Sequence, residues 1–154
     1  MTTTARAAGS RTRTPVQTVA LLVGAVFLLV GIAGFIPGLT TRYDSMAMAG
    51  MGSMAMLLGV FQVSILHNLV HLAFGVVGIL SARRARSAKL FLIIGGIVYA
   101  LLWVYGLAID PSSQANFVPL NAADNWLHLA LAVGMILLGA VVPGERRTTA
   151  AARR

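Results

Sequence analysis

Four long apolar runs divide the chain, and short polar segments separate them. Each run reaches about 20 residues, the length of helix that crosses the hydrocarbon core of a bilayer. We therefore predict an all-α fold, an integral membrane four-helix bundle that forms one transmembrane domain over residues 14–143. The predicted spans cover residues 16–36, 65–82, 88–109 and 122–142.

Residues that favour helix ends flank these runs. Thr14, Pro15 and Gln17 offer the first helix a capping hydroxyl, a proline at the first helical position and a glutamine three residues after the cap. Ser87 is the predicted N-cap of the third helix. The Asp-Pro pair at residues 110–111 is expected to end that helix.

Two segments of the chain resemble each other. Residues 67–80 read HNLVHLAFGVVGIL and residues 124–137 read DNWLHLALAVGMIL. The polar positions that match at one constant offset are Asn68 with Asn125 and His71 with His128. This match predicts an internal repeat in which two similar helical hairpins each contain an outgoing span and a returning span.

The hairpin interpretation extends to the helix starts. Ser64 and Asn121 stand at equivalent places before the returning spans, and both residue types are good N-caps. The outgoing spans share only a glycine-containing opening, residues 22–24 against residues 93–95. Hairpins of equal orientation are related by an axis along the membrane normal, which would bring the matched polar residues together.

Composition and charge place this bundle in a membrane. Apolar residues make up 58% of the chain and charged residues 10%, whereas an ordinary soluble domain is about one quarter charged. Among the twelve Lys and Arg residues, only Arg42 falls on the outer side of the four-span arrangement. The positive-inside rule therefore predicts a multi-pass protein of the cytoplasmic (inner or plasma) membrane with both termini cytoplasmic. Residues 1–13 and 144–154 are expected to be disordered basic cytoplasmic tails.

The returning spans carry a predicted polar cluster near the outer leaflet. Our main interpretation is interhelical hydrogen bonding that fixes helix packing. Haem or copper ligation is a second interpretation, because imidazoles bind both, and a proton or ion path is a third. The six cluster residues are Asn68, His71, Asn125, His128, His67 and Asp124, of which His67, His71 and His128 are the candidate metal ligands.

The segment between the first two spans is rich in methionine. Residues 42–56 contain five methionines, and thioethers are soft ligands that suit Cu(I). The favoured interpretation is a flexible apolar stretch at the membrane interface, where methionine fills gaps. Residues 57–65 are expected to continue as a short interfacial or re-entrant lead into the second span.

The sequence favours a non-enzymatic role. It contains no cysteine, and it shows no carboxylate pair, phosphate-binding glycine loop or Ser-His-Asp set. We predict a structural or accessory subunit of unknown biochemical activity that lies in a lipid bilayer, as a homo-oligomer or in a larger membrane complex. Because the basic residues flank apolar runs, they predict no nucleic-acid partner. No cofactor is expected on this interpretation; haem b or copper at His71 and His128 is the alternative.

The two histidine-containing runs also resemble those of an actinobacterial membrane-protein family of unknown function, the domain-of-unknown-function family numbered 4383. The resemblance covers roughly residues 14–143. It implies a four-span integral membrane protein and no activity. The residues that carry it are Leu66, His67, Asn68 and His71 in the first run, and Asn125 and His128 in the second.

Overall fold

The computed structural model describes residues 12–144, so most of both predicted basic tails lies outside the described residues, at 1–11 and 145–154. Within the described part the chain forms four α-helices. They are α1 (Pro15–Ala33), α2 (Ile65–Ser81), α3 (Ala85–Ala108) and α4 (Ala122–Val141).

The start of α1 is tied to the end of α2. The backbone N–H of Thr14 donates to Gln17 Oε1 at 2.9 Å, and Pro15 fills the first helical position. Gln17 Nε2 donates to the carbonyl oxygen of Ala82, the C-cap of α2, at 2.9 Å. One glutamine therefore bonds polar backbone groups at two helix ends, which would otherwise lack intrahelical partners.

Two predicted helix boundaries need correction. Helix α1 ends at Ala33 rather than at residue 36, because the Thr40 hydroxyl lies 3.2 Å from the carbonyl oxygens of Ala33 and Gly34 and folds the chain back. Helix α3 begins at Ala85, so Ser87 lies inside its first turn and Arg84 occupies the N-cap position instead. The predicted cap at Ser87 was therefore wrong.

A small β-sheet corrects the all-α prediction. It contains β1 (Thr40–Thr41), β2 (Met56–Leu57) and β3 (Phe61–Gln62), paired antiparallel in the order β1-β2-β3. Leu58 and Gly59 have positive φ angles of 53° and 70°, which suits the tight turn of a hairpin between β2 and β3. Residues 57–65 thus contain most of a β-hairpin and the N-cap of α2.

The methionine-rich segment folds over the start of α2. The backbone N–H groups of Ile65 and Leu66 donate to the carbonyl oxygens of Ala47 and Met48 at 3.1 and 2.9 Å. Ser53 is fully buried, and its hydroxyl donates to the Val63 carbonyl oxygen at 2.6 Å. The bonds from Ile65 and Leu66 satisfy first-turn donors of α2 that have no partner inside the helix.

Helix α1 packs mainly against α2, and α3 packs mainly against α4. Small residues allow the close approach in both pairs. A Cβ atom added at Gly24 would lie 2.9 Å from the Gly75 carbonyl oxygen, and one added at Gly96 would lie 2.9 Å from the Ala132 carbonyl oxygen. Buried Phe27 and Tyr99 connect the two pairs, because their rings stack with centroids 5.6 Å apart.

Three helices are long and apolar enough to cross a membrane. Helices α1, α3 and α4 have 19, 24 and 20 residues and mean hydropathies of 2.4, 2.3 and 1.5 over their most apolar windows. Helix α2 is also apolar but has only 17 residues. Exposed aliphatic side chains cover the outward faces of the helices, among them Leu29, Leu101 and Val141.

Candidate functional site

Equivalent caps start the two helices that carry the histidines. Ser64 Oγ accepts a hydrogen bond from the His67 backbone N–H at 3.1 Å. Asn121 Oδ1 accepts one from the Asp124 backbone N–H at 2.9 Å. Each cap satisfies a first-turn donor, as Ser and Asn commonly do. Each cap also fixes where its helix starts, and therefore on which face of the helix the following imidazoles lie.

His67 and His71 form a stacked pair on α2. Their ring centroids are 4.5 Å apart and their planes differ by 8°. His71 Nδ1 lies 3.0 Å from the His67 carbonyl oxygen. Because a carbonyl oxygen only accepts, His71 Nδ1 must carry the hydrogen of this bond, and Nε2 is the acceptor nitrogen of the neutral ring.

His128 reaches the same region from α4. Its side chain is only 4% exposed, and its ring packs against that of Tyr99 with centroids 5.2 Å apart. Within residues 12–144, the buried Nδ1 atoms of His67 and His128 have no hydrogen-bond partner. Buried polar atoms are normally paired, so these two nitrogens are exceptions within the described residues.

A cavity of about 160 Å³ joins the three imidazoles, which we call the histidine cavity. Tyr99 and apolar side chains of α2, α3 and residues 117–119 complete its wall. A second cavity of about 110 Å³ also borders the three histidines, and Asp124 lines that one. The histidines therefore stand between two small cavities.

Asp124 holds the β-sheet against α4. Its side chain is 2% exposed, and its Oδ2 accepts hydrogen bonds from the backbone N–H groups of Gln62 and Asn121, both at 3.0 Å. Asn121 Nδ2 also donates to the Val60 carbonyl oxygen at 2.8 Å. The carboxylate thus stabilises the junction of two elements.

The two asparagines of the predicted cluster lie in separate helix interfaces. Asn68 packs against Gly34 of the α1 end, and its Nδ2 lies 3.8 Å from Met46 Sδ. Asn125 packs against Gly106 of α3, and its buried Oδ1 has no partner among the described residues. A Cβ atom at either glycine would overlap the amide.

The six residues of the predicted cluster are thus divided between sites. His67, His71, His128 and Asp124 surround neighbouring cavities, whereas the asparagine amides pack against glycines. Over residues 12–144, no side chain-to-side chain hydrogen bond joins two of the six.

Metal geometry is a stricter requirement than proximity. No group of three or more His, Cys, Asp or Glu side chains in the described part of the chain is arranged to hold a metal ion. The three candidate ligands do meet at one cavity, yet His67 and His71 stack face to face rather than pointing their nitrogens at a common centre.

Sequence analysis missed Tyr99 and residues 117–119 as parts of this site. One signal was available for the tyrosine: an aromatic residue follows a packing glycine by three positions twice, as Gly24 with Phe27 and Gly96 with Tyr99. Nothing comparable marks residues 117–119, which reach the cavity only because the α3–α4 connection folds towards α2.

Three apolar helices of spanning length, with aliphatic outward faces, indicate a helical membrane protein. The chain belongs to the family described as Domain of unknown function (DUF4383), whose model matches residues 17–141. This match confirms the family membership that the two histidine-containing runs predicted. No curated protein and no solved structure matches the chain.

Proposed function

We propose that this protein is a non-enzymatic, multi-pass structural or accessory subunit of an actinobacterial cytoplasmic membrane, built from two repeated helical hairpins. The observation that carries the proposal is that equivalent polar residues make equivalent packing contacts in the two helix pairs. Asn68 lies against Gly34, and Asn125 lies against Gly106. Polar side chains at close helix contacts help to fix helix register, which supports a packing role.

The glycine contacts support the repeat in detail. A Cβ atom on Gly24 would meet the Gly75 carbonyl oxygen and the Ile79 backbone nitrogen. A Cβ atom on Gly96 would meet the same backbone atoms one repeat later, in Ala132 and Ile136. On this proposal Gly24 corresponds to Gly96, so the alignment of residues 22–24 with residues 93–95 moves by one residue.

The aromatic contacts support the same correspondence. Phe27 packs against His71 with ring centroids 5.5 Å apart at 49°, and Tyr99 packs against His128 at 5.2 Å and 50°. Phe27 and Tyr99 also stack on each other. Equivalent residues that meet in this way are expected near a pseudo-twofold axis.

Charge supports the proposed orientation. Four cations lie at the turn between α2 and α3, and Arg13 lies just before α1, at the same end of the bundle. Arg42 lies at the opposite end, beside the β-sheet. The positive-inside rule then places both termini in the cytoplasm and the sheet outside. Two of the four cations lie in the turn, Arg83 and Arg84, and two lie at the start of α3, Arg86 and Lys89.

The alternative, a haem or copper protein, has the meeting of three histidines in its favour. The size of the histidine cavity argues against haem. About 160 Å³ is well below the roughly 300–1,000 Å³ of pockets that enclose drug-sized ligands, so a macrocycle does not fit inside it. For copper, the stacked imidazoles lack a common centre.

Quantified co-purification from native membranes tests the proposal. The tagged chain is purified in lipid nanodiscs, and its stoichiometry, absorbance spectrum and metal content are measured together. We expect a fixed oligomer or a stoichiometric membrane partner, with no Soret band and no copper. A Soret band or bound copper that disappears in His71→Ala would overturn the packing-only role and favour the alternative.

A further inference from the structure

The histidine cavity has the size of a single benzene-like ring. Its volume of about 160 Å³ resembles that of an engineered apolar cavity of about 150 Å³ that takes up one benzene molecule. The wall is apolar apart from the imidazoles, the Tyr99 ring and Ser64. None of the described residues that line it is Asp, Glu, Lys or Arg. A charged ligand would be poorly solvated there.

The mouth of the cavity is apolar and lies on the outward side of α2. Val70 and Phe117 line the cavity and are 53% and 56% exposed. Other outward residues of α2, such as Leu69 and Val77, are exposed aliphatic side chains as well. In a membrane protein such a surface faces lipid, so the molecule that enters here is lipid-soluble.

The wall offers a hydrogen-bond acceptor at His71. His71 Nδ1 is bonded to the His67 carbonyl oxygen, so the neutral ring offers Nε2 as an acceptor. His128 is almost fully buried, and its Nδ1 and that of His67 are unpaired within residues 12–144. A hydroxyl group suits this wall because it donates a hydrogen bond to an acceptor nitrogen, whereas a hydrocarbon does not.

From these three features we infer that the histidine cavity binds a neutral, lipid-soluble, hydroxylated six-membered ring of the phenol or quinol class. The ring fills the apolar volume beside Tyr99 and His128, and its hydroxyl donates to His71 Nε2. This inference goes beyond the proposed packing role, which concerns the asparagines and glycines of the helix interfaces. A tailed membrane quinol and a small free phenol share this chemistry.

Isothermal titration of the full chain in lipid nanodiscs tests the site. The probes are p-cresol and p-xylene, which differ only by a hydroxyl in place of a methyl group, and empty nanodiscs correct for partitioning. We expect saturable binding of one p-cresol per chain, and about tenfold or more weaker binding of p-xylene, because the hydrocarbon donates no hydrogen bond to His71. His71→Leu should weaken p-cresol binding about tenfold and leave p-xylene binding unchanged.

A pair of matched tryptophan substitutions keeps the test independent of folding. Val70 lines the mouth, whereas Val76 is 47% exposed on the same helix away from the cavity. Val70→Trp should abolish binding of both probes, and Val76→Trp should leave both unchanged. Equal binding of the two probes, non-saturable heats that match empty nanodiscs, or unchanged binding in Val70→Trp would each overturn the inference.

A third probe identifies the source of the ligand. A hydroquinone with a long alkyl tail binds more tightly than p-cresol if the cavity takes a membrane quinol, since the tail remains in lipid beyond the mouth. Equal affinities indicate a small free phenol. Asn68 and Asn125, on which the packing proposal rests, do not line the cavity, and co-purification tests that proposal separately, so failure of either proposal leaves the other measurable.

Discussion

At the scale of single residues, glycine determines how closely the helices approach. Where a glycine faces a neighbouring backbone, an added methyl group has no space, because backbone atoms cannot move aside as a flexible side chain can. Gly75 is such a position: a Cβ atom there would lie 2.6 Å from the Leu28 nitrogen and 2.8 Å from the Gly24 oxygen. Gly134 of α4, by contrast, has nothing within 4 Å of its added Cβ atom.

We therefore expect Gly75→Ala to lower the free energy of unfolding by about 1–3 kcal/mol through overpacking. Gly134→Ala is the matched control and should raise it by up to about 1 kcal/mol, because alanine is the better helix former. Circular dichroism during denaturation in detergent measures both. Equal stability of Gly75→Ala and the unmodified chain would mean that the helices are not in backbone contact at this point.

Asp110 provides a residue-scale prediction about pH. Hydrogen bonds to Asp110 Oδ1 from the Ser112 hydroxyl and backbone N–H, at 2.7 and 2.8 Å, lower the pKa of this exposed carboxyl below its usual value. Because the folded-state pKa is depressed, the contribution of the carboxylate is present above the unfolded pKa and is lost as pH falls through the folded pKa. Ser112→Ala should raise the pKa of Asp110, which carbon NMR of the carboxyl group measures; an unchanged value would exclude the hydroxyl as a cause.

At the scale of elements, the helices were predictable and the sheet was not. Helices α2 and α4 begin at residues 65 and 122, where the apolar runs and the Ser64 and Asn121 caps place them. The strands have two residues each, too few to show a period, and their pairing joins positions as far apart as Thr40 and Leu57. A local pattern cannot reveal such pairing.

The same limit applies to the candidate site. The repeat of the asparagine and histidine positions predicted that histidines from two helices would meet, and His71 and His128 do line one cavity. The separation of the asparagines was not predictable, because it depends on which glycine each amide faces. The role of Asp124 was equally hidden, since its partner Gln62 belongs to the unpredicted sheet.

Asp124 gives the prediction that belongs to the scale of elements. Asp124→Ala removes the acceptor of the Gln62 and Asn121 N–H groups, so β3 should separate from α4 and the protein should lose about 1–2 kcal/mol of stability. Hydrogen exchange at the Gln62 amide should become at least about tenfold faster. Asp44→Ala is the control, because it removes an exposed carboxylate from the α1–α2 connection that contains β3. Similar exchange rates of the Gln62 amide in the two variants would contradict the proposed junction.

At the scale of the whole molecule, the bundle has two chemically different ends. Four cations lie in the α2–α3 turn and at the start of α3. The opposite end carries the sheet, the methionine-rich segment and the two connections that surround the histidines. On the proposed orientation, which has both termini in the cytoplasm, the histidine cavity opens near the outer leaflet. A ligand that enters it would then come from the outer half of the bilayer, so the orientation of the chain determines which pool of lipid-soluble molecules the cavity samples.

Cysteine labelling measures this orientation directly, because the chain has no cysteine of its own. Met51→Cys and Gln114→Cys place a thiol in the two connections beside the histidines, and Ser87→Cys places one near the cationic turn. A membrane-impermeant maleimide should label the first two in intact cells and the third only after permeabilisation, since the positive-inside rule retains the cationic turn in the cytoplasm. Labelling of Ser87→Cys in intact cells, with protection of the other two thiols, would show the opposite topology, in which the cavity opens near the inner leaflet.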